Sequence, residues 1–175
     1  MNAIFAIIYV YIGWKFGKWK DFNRYYPTLL FFIIGDLLYQ FLLFNHSMWM
    51  FHPYGRIDEW IKLNNHTLIA LTKMVIQYPV TIAIFLGRMS SNKMHQIFSI
   101  VLWSGIYTFN ESIANFLGVI TYHNGWNFWW DGAFNVMMFS MLLLHYKNPL
   151  LAWILSVPVI LGLWGIFDIP FSILK

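Results

Sequence analysis

The sequence predicts an all-α integral membrane bundle of six transmembrane helices, with a short interfacial helix between the second and the third. Three observations predict it. Hydrophobic residues make up 59% of the 175 and charged residues only 10%. An ordinary soluble domain carries roughly 25% charged residues, so this chain cannot cover a water-facing surface in the usual way. Apolar runs approaching the ~20 residues that cross a bilayer recur along the chain. Aromatic residues reach 21%, with 10 Trp and 10 Tyr, which suits rings at headgroup level.

The first span runs from about Ala3 to Phe16, short and flanked by Trp14 and by Lys15, whose stem can snorkel. It lacks a preceding basic region and a small-residue cleavage site, so it reads as retained rather than as a signal peptide. The second runs from Pro27 to Phe44, the third from Thr67 to Leu86 and the fourth from Ile97 to Ile120. The fifth runs from Phe128 to His145 and the sixth from Leu150 to Ile169. Short loops make sequence neighbours antiparallel neighbours in space. In the longest loop, 45–66, Ile57, Trp60 and Ile61 fall at helical spacing with the charges pointing away, as in a helix lying on a membrane surface. Residues 1–175 form a single transmembrane domain with no linker, low-complexity tract or internal repeat.

Lys15, Lys18, Lys20, Arg24, Arg88, Lys93 and Lys147 fall on one side of this topology, and Arg56, Lys62 and Lys175 on the other. The positive-inside rule then puts both termini outside. The net charge of +4 is spread over short turns and forms no basic patch, which excludes a nucleic-acid partner. Without cysteine the chain has no disulfide, thiolate metal site or cysteine nucleophile.

Charges inside spans are rare and usually mark a functional site facing the bundle interior. Here Asp36, Lys73, Glu111, Asp131 and Asp168 come from five different spans, all at middle or outer depth. Polar or small neighbours share their helical faces. Asp36 has Tyr39 and Gln40. Lys73 has His66, Ala70 and Gln77. Glu111 has Ser104, Thr108, Asn115 and Gly118. Asp131 lies between Asn127 and Asn135, and Asp168 between Gly165 and Ser172. Together these faces predict a polar pocket or ion pathway opening outwards, with Lys73 paired to Glu111 or Asp36 to offset its burial. The competing reading is a polar network that only fixes helix packing.

His46, His66 and His123 on the outer side are the candidates for metal binding, but they lack paired-ligand spacing, and no metal or other cofactor is predicted. The segment from His123 to Gly132 is dense in Trp. Trp126, Trp129 and Trp130, with His66, would frame the pocket mouth, either as an aromatic belt or as a wall for an organic cation or apolar ligand.

The run Tyr25-Tyr26-Pro27-Thr28-Leu29-Leu30-Phe31-Phe32-Ile33-Ile34-Gly35-Asp36-Leu37-Leu38-Tyr39, preceded by Trp19-Lys20, resembles an uncharacterised family of small multi-pass membrane proteins of endospore-forming bacteria. The resemblance implies a bacterial plasma membrane and supplies no catalytic residues.

Three functions follow in order. Proton- or cation-coupled transport or conduction would use Asp36, Lys73 and Glu111 as exchanging sites, and a bundle of this size would need to act as a homo-oligomer. A ligand-binding or sensory protein would hold a small lipophile in the same pocket. A membrane-embedded enzyme ranks third, because no recognisable catalytic spacing supports it; the sequence leans against an enzyme.

Overall fold

The computed structural model describes residues 2–173. It is all-α apart from one small β-ribbon. The helices are α1 (Asn2–Phe16), α2 (Phe22–Leu42), α3 (Gly55–Trp60), α4 (His66–Thr72), α5 (Tyr78–Phe85), α6 (Lys93–Phe116), α7 (Phe128–Lys147) and α8 (Pro149–Ile166). A π turn, Lys73–Gln77, joins α4 to α5 without a break. Three helical stretches among the described residues are long and apolar enough to cross a membrane: Trp19–Leu42, His66–Phe85 and Pro149–Ile166.

Helix starts are written into the sequence by asparagine. The side chains of Asn65, Asn92, Asn127 and Asn148 accept hydrogen bonds from Leu68 N, Met94 N, Trp129 N and Leu151 N at 2.8–3.1 Å. Each satisfies a backbone donor that the first helical turn leaves unpaired. The π turn also has a local cause. Pro79 has no N–H to give, and its ring crowds the carbonyl four residues back. The Tyr78 N–H bonds instead to Lys73 O, five residues back.

Where the predicted fourth span continues to Ile120, α6 stops at Phe116. Gly118 takes a φ of +72°, a left-handed conformation suited to glycine. The chain then leaves as strand β2 (Ile120–Tyr122), antiparallel to β1 (Trp49–Phe51), with Trp49 opposite Tyr122 and Phe51 opposite Ile120. This ribbon marks one end of the bundle.

The other end gathers the basic loops. Lys18 N donates to Ala83 O at 3.1 Å and Arg88 Nη2 to Phe16 O at 3.2 Å. Lys147 Nζ donates to Gln96 Oε1 at 2.5 Å, and Tyr25 Oη donates to Lys18 O. The main core lies towards this end. Tyr25, Leu29 and Phe32 of α2 meet Ile82, Ala83 and Phe85 of α5, and Tyr107, Phe139 and Leu142 close it from α6 and α7. Every residue from Val80 to Leu86 is buried, so α5 is the central helix. By contrast, α8 packs mainly on α7 and buries only Ala152.

α6 and α7 carry too much polarity to count as apolar helices, but that polarity is turned inward. On α6, Gln96, Ser104 and Tyr107 are buried while Ile97, Phe98, Val101 and Phe109 are exposed. On α7, Asp131, Asn135 and His145 are buried while Phe128 and Val136 are exposed. This arrangement inverts that of a water-soluble surface helix.

The short helix α3 forms where the spacing of Ile57 and Trp60 predicts it, and both residues are exposed. One of its two acidic residues departs from the expected outward orientation. Asp58 is fully buried and accepts from Asn2 N and Ala3 N at 3.0–3.1 Å, from Asn2 Nδ2 at 2.9 Å and from Tyr54 N at 2.9 Å. It therefore acts as an acceptor for the unpaired first N–H groups of α1. Burial alone would raise its carboxyl pKa, but the donors from Ala3, Tyr54 and Asn2 pull it down to about 2.

Candidate functional site

A cavity of about 280 Å³ lies between α2, the π turn, α5, α6, α7 and α8. Asp36, Tyr39, Lys73, Gln77, Glu111, Asp131 and Asn135 all line it. Seven of the eleven residues expected on the pathway thus meet around one space. Gln40 and Thr108 stand one bond behind this wall. Gln40 Nε2 donates to Asp36 Oδ1 at 3.4 Å, and Asn135 Nδ2 donates to Thr108 Oγ1 at 3.2 Å. Asn115 turns elsewhere, donating to Ile120 O at 3.0 Å and so tying α6 to the ribbon. Asp168 does not join the cluster. It is exposed in the turn after α8, with a φ of +46°.

The acids are held in different ways. Asp36 receives a donor on each oxygen: Gln40 Nε2 on Oδ1, and Tyr78 Oη on Oδ2 at 2.6 Å. Gln40 is itself fixed by His66. Phe51 N donates to His66 Nδ1 at 2.9 Å, so the ring proton sits on Nε2 and is donated to Gln40 Oε1 at 2.8 Å. His66 therefore orders the ribbon and the Asp36 wall, a different position from the expected pocket mouth. Glu111 Oε2 accepts from Asn135 Nδ2 at 2.7 Å.

Lys73 departs from the pairing predicted for it. No carboxylate oxygen lies within 4.0 Å of its Nζ among the described residues. The ammonium sits 4.0 Å from the centroid of the Phe51 ring, a cation–π arrangement. The acids are served by other donors: both Asp36 oxygens have one, and Glu111 Oε2 has Asn135.

At the ribbon end of the cavity the hydrogen-bond accounts do not close. Asp131 Oδ2, Tyr122 Oη, Trp126 Nε1 and Trp164 Nε1 are buried with no partner among the described residues. Asp131 is only 8% exposed and Trp126 only 7%. Glu111, Trp126 and Tyr122 all stand beside the Asp131 carboxyl. The other two mouth candidates lie outside this group, Trp129 being 80% exposed and Trp130 stacked edge-on against Phe167 at 5.1 Å. His46, His66 and His123 contribute to no group of three metal-ligand side chains among the described residues.

The remaining walls are apolar, with Phe31, Met137, Met138, Met141, Trp153, Val159 and Leu163 among them. The sequence reading missed this apolar majority, although the Met137-Met138 and Met141 cluster signals an adaptable surface. It also missed Tyr78 and Tyr107, because an aromatic in an apolar helix gives no sign of where its hydroxyl points. α2 and α8 line the cavity without being a packed pair. They touch where Phe31 meets Trp153 at 4.8 Å, and again where Leu42 and Leu43 join Trp164 and Ile169. Between those contacts lies a slot. A Cβ built on Gly35, in its middle, would meet nothing within 4 Å.

A second, smaller cavity of about 50 Å³ lies between α1, α4 and α6. Phe51, Lys73, Gln77, Tyr107, Glu111 and Ile120 border both cavities and form the partition between them.

The fold and site therefore define a helical protein with three helices able to cross a membrane and a buried polar wall facing an apolar chamber. Comparison with protein families, curated proteins and solved structures found no match.

Proposed function

We propose that this chain is a six-span protein of the bacterial plasma membrane that binds a small lipophile in the larger cavity. The observation that carries the reading is the cavity itself, about 280 Å³ with mostly apolar walls and one polar side. Such a combination suits a ligand held by shape and oriented by a few polar groups. The inward polarity of α6 and α7 supports counting them as spans, because lipid would meet Ile97, Phe98, Val101 and Phe109 rather than Gln96 or Ser104. The 15-residue α1 would be the shortest span. The Lys- and Arg-bearing loops at one end support a cytoplasmic location for that end, with the ribbon and both termini outside.

Titration of the purified protein with an apolar naphthalene dye tests this reading. One saturable site is expected, weakened about tenfold or more in Ser156→Phe, which fills the chamber from α8. Dye uptake that never saturates, or is indifferent to this substitution, rejects the reading.

Proton- or cation-coupled transport is the second reading. It is favoured by one observation: protonatable Lys73 and Glu111 stand between two cavities. Such a carrier would work as a homo-oligomer. Ion flux in proteoliposomes that disappears in Glu111→Gln supports it, and equal flux in the variant ends it.

A further inference from the structure

The geometry points to a lipid alcohol as the occupant of the larger cavity, its hydroxyl at Asp131 and its chain leaving through the slot between α2 and α8. This rests on the ligand-binding reading and names the ligand's chemistry.

The unpartnered groups define the head. Asp131, Tyr122 and Trp164 all line the cavity, and their Oδ2, Oη and Nε1 atoms are buried and lack a partner among the described residues. A carboxylate only accepts, an indole N–H only donates, and a phenol does either. Their complement is a group with one proton to give and lone pairs to receive, which is a hydroxyl. An ammonium head would satisfy Asp131 and leave the indole donor unpaired. A carboxylate or phosphate head would set an anion beside Asp131 and Glu111.

The walls and the slot define the tail. The chamber of about 280 Å³ is roomy enough for an alkyl chain, and the slot gives a longer one a way out. Gly35 and Leu38 of α2 and Val159 and Ile160 of α8 all line the cavity beside the slot, on the side that would meet acyl chains. Leu38 and Ile160 are themselves partly exposed, at 38% and 36%.

The test uses the full chain in nanodiscs. Photolabelling is carried out with two diazirine probes, a decyl alkane and the matching decanol, and labelled peptides are mapped. Both probes should label α7 and α8 saturably. Unlabelled 1-decanol should compete about tenfold better than decylammonium or decanoate. Asp131→Leu should remove that preference while leaving alkane labelling intact. Asp131→Asn keeps an acceptor and loses the charge, so decanol should bind within about threefold of the parent. If decylammonium competes best and Asp131→Asn abolishes its advantage, the site reads charge and the alcohol assignment is overturned. If the alkane probe saturates but all three heads compete alike, the assignment also falls and the pocket stands, its polar end filled by water. If neither probe saturates, the pocket reading falls with it.

Discussion

Asp36 and Asp58 show two ways in which a buried carboxylate is stabilised. Asp36 takes one side-chain donor on each oxygen, from Gln40 and Tyr78. Tyr78→Phe removes the shorter bond, and thermal unfolding in detergent should record a loss of about 1–3 kcal/mol, the usual cost of stranding a buried acceptor. Asp58 takes backbone donors from another helix, which hold its carboxyl near pH 2. A folded pKa depressed below the unfolded value of about 3.9 stabilises the fold above that pH. That stabilisation is lost as pH falls from about 4 to about 2. Asp58→Asn should therefore lower Tm at pH 7 by more than at pH 2.5, and equal shifts at both would contradict the assignment. At this scale the acids and Lys73 were legible as polar interruptions of apolar runs. Their partners were not, because Tyr78 and Phe51 sit in segments whose apolar spacing says nothing about what each ring faces.

At the scale of elements, the six long helical segments were readable as runs of mostly apolar residues, but their ends were not placed. Asn65, Asn92, Asn127 and Asn148 each stand just before a helix, and this signal was present in the sequence. Asn127→Ala should cost about 1 kcal/mol in unfolding, with Asn127→Asp close to the parent. The end of α6 was misplaced because Val119, Ile120 and Thr121 continue an apolar run equally well as helix or strand. Their strand partner lies in a loop far away in sequence. The π turn escaped for a related reason, since Pro79 marks a disturbance but not its form. The slot gives a further test. Gly35→Trp adds a ring where no Cβ neighbour stands within 4 Å. It should slow ligand entry from the bilayer about tenfold, read by stopped-flow dye binding, while Gly105→Trp, equally unobstructed, should leave the rate unchanged.

For the whole molecule, the sequence carried the class of fold and most of one polar wall, because both depend on residue type along helices of known pitch. The chamber behind that wall depends on how five helices diverge, and no local pattern encodes that. Topology is open to direct measurement because the chain contains no cysteine. In intact cells a membrane-impermeant maleimide should label Asn124→Cys, beside the ribbon, and should reach Lys20→Cys only after permeabilisation. The reverse pattern would invert the proposed orientation and move the chamber's polar end to the cytoplasmic face.

Synthesis from the N-terminus delivers Trp49–Phe51 long before Ile120–Tyr122 exists. Until α6 has been made, the first strand offers an unsatisfied edge, and closing so long a loop comes late in folding. The ribbon end of the chamber can therefore close only after α6, and the walls from α7 and α8 are made later still. A chain halted before residue 120 would leave Phe51, whose ring faces Lys73, without its strand partner.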